Sequence, residues 1–119
     1  MSNTVPKPWG HELIWARTDR YVGKVLHIRA GEALSLQYHQ VKDETIMVLE
    51  GELQLVYFGD GEDPKSRNLV AGEPFHITPG LRHRMIAISD VDVLEVSTPE
   101  LDDVVRLEDR YGRSGTSAP

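Results

Sequence analysis

The stretch that decides the fold is GEALSLQYHQVKDETIMVLEG, which spans residues 31 to 51. Its first part alternates with a period of two, so Gln37 and His39 point to the same face of a strand. A turn over residues 40 to 43 reverses the chain, and Glu44 then begins the neighbouring strand within reach of that face. The stretch therefore predicts two adjacent strands that carry an amide, an imidazole and a carboxylate on one side.

The rest of the chain repeats this pattern of short strands and glycine-containing turns. Apolar residues alternate over residues 22 to 28, and further strand candidates are Glu52 to Phe58, Arg67 to Val70, Pro74 to Ile77, His83 to Ile88 and Val91 to Ser97. The run from Ile46 to Leu49 is apolar without a break, which predicts a strand buried on both faces. Such spacing predicts an all-β antiparallel sandwich or barrel. Residues 100 to 110 remain open between helix and strand.

Bulk properties limit the architecture and the partners. The 119 residues suffice for one domain, expected over residues 1 to 113, followed by a small, polar and disordered tail at residues 114 to 119. The net charge of −6 and the absence of a Lys/Arg run argue against a nucleic-acid partner. There is no cysteine, which excludes disulfides and thiolate ligands. Without a signal peptide or a bilayer-length apolar run, we expect a cytoplasmic protein with no membrane partner.

A second segment, from Gly72 to Gly80, leads into His83 at the start of a strand. If the sheet closes, four side chains converge in its interior as predicted metal ligands: Gln37, His39, Glu44 and His83. Imidazole, carboxylate and amide oxygen suit one borderline divalent ion such as Zn, Fe, Mn, Co or Ni. One carboxylate leaves such a site net positive, which favours an anionic or oxygen-rich ligand.

These two segments resemble the two cupin motifs, and Gln37 stands where the first motif usually has a His. That replacement is typical of mannose-6-phosphate isomerases. More narrowly, the chain resembles the type II isomerase domain found at the C-terminus of bifunctional guanylyltransferase/isomerase enzymes. The stretches that carry this resemblance are KPWG at residues 7 to 10, LSLQYH at 34 to 39, GLRHR at 80 to 84 and DVVRLEDRYGR at 103 to 113. The resemblance implies a single-domain cupin, which is a double-stranded β-helix or jelly-roll barrel.

The same resemblance implies a metal-dependent aldose–ketose isomerase of a phosphorylated sugar, with zinc as the preferred ion. The ion would polarise the substrate oxygens while a base moves a proton between C1 and C2. Lys42, Glu108 and Lys24 are candidates for that base, and Lys24 could equally line the substrate cavity. Arg106 would bind the phosphate or stabilise developing charge through its planar donor fork, the alternative being an ion pair with Asp103 or Glu108.

The chain departs from the family pattern beside both motifs, and these departures motivate two rival hypotheses. The family usually has two His and an Arg after its ligand His, His-Trp after its Glu, and Asn after its last His. The corresponding residues here are Gln40, Val41, Lys42, Thr45, Ile46 and Ala87. One rival is a non-catalytic cupin that binds metal or sugar. The other is a metal-dependent oxygenase or lyase of a small acid, because fold alone does not fix the chemistry.

Two partners are expected, a small-molecule sugar phosphate and a second copy of the chain. Cupins often pair through the outer faces of their strands. The residues considered for such a homodimer interface are Trp9, Trp15, Leu34, Leu36 and Tyr38. Packing of the same residues in the core is the alternative.

Overall fold

The computed structural model describes residues 4 to 59 and 63 to 112, together with the backbone of residues 115 and 116. The strands are β1 (Thr4–Lys7), β2 (Gly10–Arg17), β3 (Val22–Ile28), β4 (Leu36–Tyr38), β5 (Glu44–Glu50), β6 (Leu53–Phe58), β7 (Lys65–Leu69), β8 (Pro74–Ile77), β9 (Arg82–Ala87), β10 (Val91–Ser97), β11 (Val105–Glu108) and β12 (Gly115–Thr116). The described part of the chain contains no helix long and apolar enough to cross a membrane. The predicted all-β class is confirmed.

The strands form two six-stranded antiparallel sheets that enclose one interior. The first sheet has the order β1-β2-β3-β10-β5-β8, and the second has the order β12-β11-β4-β9-β6-β7. From β3 to β11 the chain crosses between the sheets at every step except β6 to β7, which pair as a hairpin. This winding is that of a jelly-roll barrel, as predicted.

The barrel interior is apolar at one end and polar at the other. Along β5 the inward positions are Glu44, Ile46 and Val48, and in β10 Glu95 follows Val93 in the same phase. The fully buried apolar side chains of the interior include Leu26, Ile28, Ile46, Val48, Leu53, Leu55, Leu69, Ile77 and Val93. Each such side chain stabilises the fold by about 1.5–3 kcal/mol. The polar side chains Glu44 and Glu95 therefore lie beside a continuous apolar core.

The turn between β5 and β6 depends on a glycine at the end of the deciding stretch. Gly51 has a φ of 93°, and a Cβ built on it would lie 2.2 Å from the backbone oxygen of Asp90. The turn before β10 therefore approaches so closely that a side chain cannot be accommodated at residue 51.

Some details of the sequence prediction were incomplete or wrong. Strands β1 and β2 were not predicted, and residues 105 to 108, left open before, form a strand that pairs with β4. The run from Ile46 to Leu49 is buried on one face only, because Leu49 is 43% exposed and Met47 is partly exposed. Of the tail expected to be disordered, the structure describes only the backbone of residues 115 and 116, which pairs with β11. The other tail residues lie outside the described part.

The residues considered for a homodimer interface lie in different environments. Trp9 and Leu34 are buried in the core, which agrees with the core-packing alternative for these two. Trp15 is 53% exposed and packs against Gly23, whereas Leu36 and Tyr38 lie half-buried in the second sheet. The homodimer therefore remains a prediction.

Candidate metal centre and its cavity

Three of the four predicted ligands meet at the polar end of the barrel. His39 follows β4, Glu44 begins β5 and His83 lies in β9, and one possible ligand atom from each lies within 4.8 Å of the others. All three side chains are buried, and the His39 Nε2 atom is 2.5 Å from Oε1 of Glu44. The two sheets thus contribute to one buried group of two imidazoles and a carboxylate, which could hold a metal ion.

Backbone carbonyls orient both histidines toward this group. Nδ1 of His39 is 2.6 Å from the carbonyl oxygen of Asp103, and Nδ1 of His83 is 2.9 Å from that of Leu81. Because a carbonyl only accepts, each Nδ1 donates and each Nε2 is turned toward the centre. In the described part of the chain, Nε2 of His83 is buried without a hydrogen-bond partner. A divalent ion fits this donor set, since it would satisfy that nitrogen and Glu44 together.

The surroundings of Glu44 and His83 favour the protonation states in which these two side chains bind metal. Burial alone would raise the pKa of Glu44, but the hydrogen bond to His39 and the charge of Lys42 outweigh it, so the pKa lies below its usual value. Burial lowers the pKa of His83 and keeps the imidazole neutral. A carboxylate and a neutral imidazole are the forms that bind metal.

Gln37 lies beside this group on the same cavity wall. In the sheet register it is the partner of His83 on one side and of Arg106 on the other. Its Oε1 atom accepts a 2.6 Å hydrogen bond from the hydroxyl of Ser35. The structure therefore places Gln37 in the cavity with His39 and Glu44, and its role as a fourth ligand remains a prediction.

Buried charged side chains line the cavity around the candidate centre. Nζ of Lys24 is 3.4 Å from both carboxylate oxygens of Glu12, and Nζ of Lys42 is 3.2 Å from Oε2 of Glu95. All four are buried, as is Arg106 from β11. The cavity thus combines cationic groups from two strands and one turn with His39 and Glu44 of the candidate centre, which suits an anionic, oxygen-rich ligand.

The predicted site residues differ in where the structure places them. Lys24, Lys42 and Arg106 line the cavity. Glu108 is exposed, because the pairing of β11 with β4 shifts register between residues 106 and 108, and the structure does not bring it to the cavity. Its role as a base therefore lacks structural support.

The cavity residues that the sequence reasoning missed include two carboxylates, Glu12 and Glu95. A signal for Glu95 was present, since it continues the inward phase of Val91 and Val93 in an alternating strand. Burial and the nearby Glu44 raise the pKa of Glu95 to about 7. Burial alone would lower the pKa of Lys42, but the charges of Glu95 and Glu44 outweigh it and raise the pKa.

Comparison with known proteins identifies the family. Residues 24–97 match the family described as Cupin domain. The chain is a cupin. It is 32% identical over 118 residues to mannose-1-phosphate guanylyltransferase ManC of Salmonella typhimurium, covering 95% of this chain and 24% of that protein. Mannose-1-phosphate guanylyltransferase of Escherichia coli K12 is 33% identical over 114 residues, covering 92% and 23%. This cupin spans about a quarter of the length of these relatives and matches their C-terminal cupin part.

Solved structures show the same fold at low sequence identity. The capsular polysaccharide assembling protein CapF of Staphylococcus aureus has a TM-score of 0.75 and 18% identity, covering 91% of this cupin and 34% of that chain. KdgF of Halomonas sp. has a TM-score of 0.71 and 18% identity, and the match covers 84% of this cupin and 88% of the KdgF chain. Oxalate decarboxylase of Bacillus subtilis reaches a TM-score of 0.76 at 10% identity, covering 89% and 30%. These likenesses support the fold alone.

Most residues that depart from the family pattern lie outside the cavity of this cupin. Gln40 and Val41 are exposed, the latter by 61%, whereas Ile46 and Ala87 are buried in the barrel. Lys42 is the replaced residue that lines the cavity. The replacements therefore change the cavity chemistry chiefly at this one position.

The C-terminal stretch of the resemblance fastens onto the first motif. Arg106 lies in the cavity, Arg110 donates a 2.6 Å hydrogen bond from Nη1 to the carbonyl of Gly31, and the Tyr111 hydroxyl accepts a 3.4 Å contact from the amide of Ala33. The stretch thus holds one cavity side chain and anchors the start of the metal-ligand segment.

Proposed function

We propose that this cupin is a metal-dependent aldose–ketose isomerase of a phosphorylated sugar, with zinc as the preferred ion and mannose 6-phosphate as the first substrate to test. The observation that carries the proposal is a cavity lined by His39 and Glu44, two members of the buried His/Glu/His group, together with the cationic side chains of Lys24, Lys42 and Arg106. The similarity to mannose-1-phosphate guanylyltransferases supports a sugar-phosphate ligand.

The cationic side chains would bind the phosphate and orient the sugar. Arg106 offers a planar donor fork for two phosphate oxygens. Lys24 adds a second cation from the opposite sheet, held in place by its ion pair with Glu12. A sugar bound by these groups at its phosphate end can direct its C1 and C2 oxygens toward the His/Glu/His group.

Isomerisation requires a group that takes a proton from one carbon and returns it to the next. Lys42 and Glu95, 3.2 Å apart beside the candidate centre, are our first candidates for this transfer, and Lys24 is the second. When bound, the ion would polarise the C1 and C2 oxygens and stabilise the negative charge of an enediolate. His39, Glu44 and His83, with Gln37, would hold it.

The direct test is exchange of the C2 hydrogen with solvent. Protein loaded with Zn or Co is incubated in D₂O with mannose 6-phosphate and then with other hexose and pentose phosphates, and deuterium incorporation is followed by NMR. We expect incorporation and conversion to the ketose with at least one sugar phosphate. Lys42→Met is expected to reduce the rate at least about 100-fold, as for loss of an acid–base group. His76→Ala, which changes an exposed histidine, is the matched control.

Absence of turnover with every sugar phosphate would reject the isomerase. Tight calorimetric binding of a sugar phosphate without turnover would instead favour the non-catalytic cupin. Bound iron together with oxygen consumption would favour the oxygenase. The homodimer is part of the same proposal, and sedimentation velocity distinguishes it from a 13.4 kDa monomer.

A further inference from the structure

The loop between β10 and β11 is fastened to the turn that separates two candidate ligands. The carboxylate of Asp103 accepts hydrogen bonds from three consecutive backbone amides, those of Gln40 at 3.0 Å, Val41 at 2.7 Å and Lys42 at 2.8 Å. The backbone carbonyl of the same residue accepts from Nδ1 of His39 at 2.6 Å. One residue thus contacts four consecutive positions, from 39 to 42.

Three successive backbone N–H groups that converge on one anion form a nest, which is an anion-binding concavity. Here the anion belongs to the chain itself. His39 stands immediately before the nest and Glu44 follows it by two residues, so the nest holds the backbone turn that connects these two candidate ligands. Thr98 closes the other end, since its hydroxyl accepts from the amide of Asp43 at 3.0 Å.

We propose that Asp103 is a positioning residue for the metal centre. Asp103 holds His39 and the following turn in the geometry that binds a divalent ion. The residue does not reach the ion. Its backbone carbonyl binds Nδ1 of His39 and so leaves Nε2 directed toward the ion. Its carboxylate binds the turn and so keeps the carbonyl in position relative to His39. Outer groups of this kind change metal affinity about 10–100-fold when removed. The same nest holds the backbone of Lys42, so cavity and centre share one anchor.

The test measures Co(II) affinity and the visible Co(II) spectrum of Asp103→Ala, together with the thermal midpoint of the metal-free protein. We expect the dissociation constant to rise about 10–100-fold and the absorption bands to change in position or intensity. Asp102→Ala is the matched control, because it removes an equal charge from an exposed neighbour in the same loop. This control is expected to keep wild-type affinity and spectrum.

Two results would overturn the assignment. Unchanged Co(II) affinity and spectrum in Asp103→Ala, with only a lower thermal midpoint, would make the residue purely structural. An equal loss of Co(II) affinity in Asp102→Ala would show that the loss in Asp103→Ala results from removing a negative charge near the centre and not from losing the hydrogen bonds of Asp103. If Asp103→Ala does not fold, Asp103→Asn replaces it, since the amide keeps one acceptor oxygen, and a smaller rise of about threefold to tenfold is expected. None of these readouts depends on isomerase activity.

Discussion

Single residues show how this cupin accommodates buried charges at the polar end of its barrel. Lys24 and Glu12 come from neighbouring strands of the first sheet, and the pair is almost completely removed from water. Lys7 approaches the same carboxylate at 4.0 Å. Removing one partner of a buried pair leaves an uncompensated charge, whereas removing both does not.

We therefore expect Lys24→Met to lower the free energy of unfolding by about 3 kcal/mol. The double variant Lys24→Met/Glu12→Gln is expected to be more stable than the single lysine variant, because it leaves no buried Glu12 carboxylate that has lost the Lys24 ammonium. Urea unfolding of the wild type and the three variants completes a double-mutant cycle. Additive losses in this cycle would show that the two side chains are not coupled.

Gly51 offers a second test at the residue scale. A Cβ at this position would lie 2.2 Å from the backbone oxygen of Asp90, whereas a Cβ at Gly72, with a similar φ of 88°, meets nothing within 4 Å. Gly72→Ala is thus expected to cost about 1–2 kcal/mol for the left-handed backbone alone. Gly51→Ala is expected to cost more, because the turns must also separate. Chemical denaturation of both variants measures the difference, and equal losses would contradict the close approach.

Sequence reasoning at this scale grouped residues by their spacing within two motifs. His39 and Glu44 are five positions apart in the first motif and His83 belongs to the second, and the structure brings the three side chains together as a group that could hold a metal ion. The pairing of Lys42 with Glu95 joins residues 53 positions apart and depends on strand order in the first sheet. Periodicity predicts which face of a strand a residue lies on, but it does not predict which strand lies alongside. The pair of Lys42 and Glu95 was therefore not predicted.

At the scale of elements, β11 shows why some strands cannot be predicted from their own pattern. Residues 105 to 108 have no decisive period, and the strand exists because it pairs with β4 and carries Arg106 inward. The error over residues 46 to 49 has a related cause. A continuous apolar run does not reveal that the outer face of β5 is left open, so that Leu49 remains exposed.

The segment after β11 leads to a prediction about Tyr111. Its ring packs against the buried core, while the contacts of its hydroxyl include two long ones, 3.4 Å to the amide of Ala33 and 3.3 Å to Glu32. Tyr111→Phe is thus expected to cost less than about 1 kcal/mol, since long hydrogen bonds contribute little. Tyr111→Ala is expected to cost about 2–3 kcal/mol through lost packing. A phenylalanine variant as unstable as the alanine variant in thermal unfolding would contradict this division.

At the scale of the whole molecule, metal binding and folding are linked. The candidate ligands come from strands of both sheets, so the site exists only in the folded barrel and an ion stabilises that state alone. At about 100 times the dissociation constant, the ion adds about 2.7 kcal/mol. For a domain of this size the thermal midpoint is then expected to rise by about 10 °C, and chelation with EDTA is expected to reverse the rise. Calorimetry that shows the same midpoint with Zn and with EDTA would contradict the linkage.

The most direct test of the metal centre is elemental analysis of folded protein. Wild type, His83→Ala and His76→Ala are loaded with Zn, freed of excess ion by gel filtration, checked by circular dichroism and analysed by mass spectrometry for metal per chain. We predict about one ion per chain in the wild type and in His76→Ala, and almost none in His83→Ala. Equal metal content in all three folded proteins would contradict a centre built from His39, Glu44 and His83.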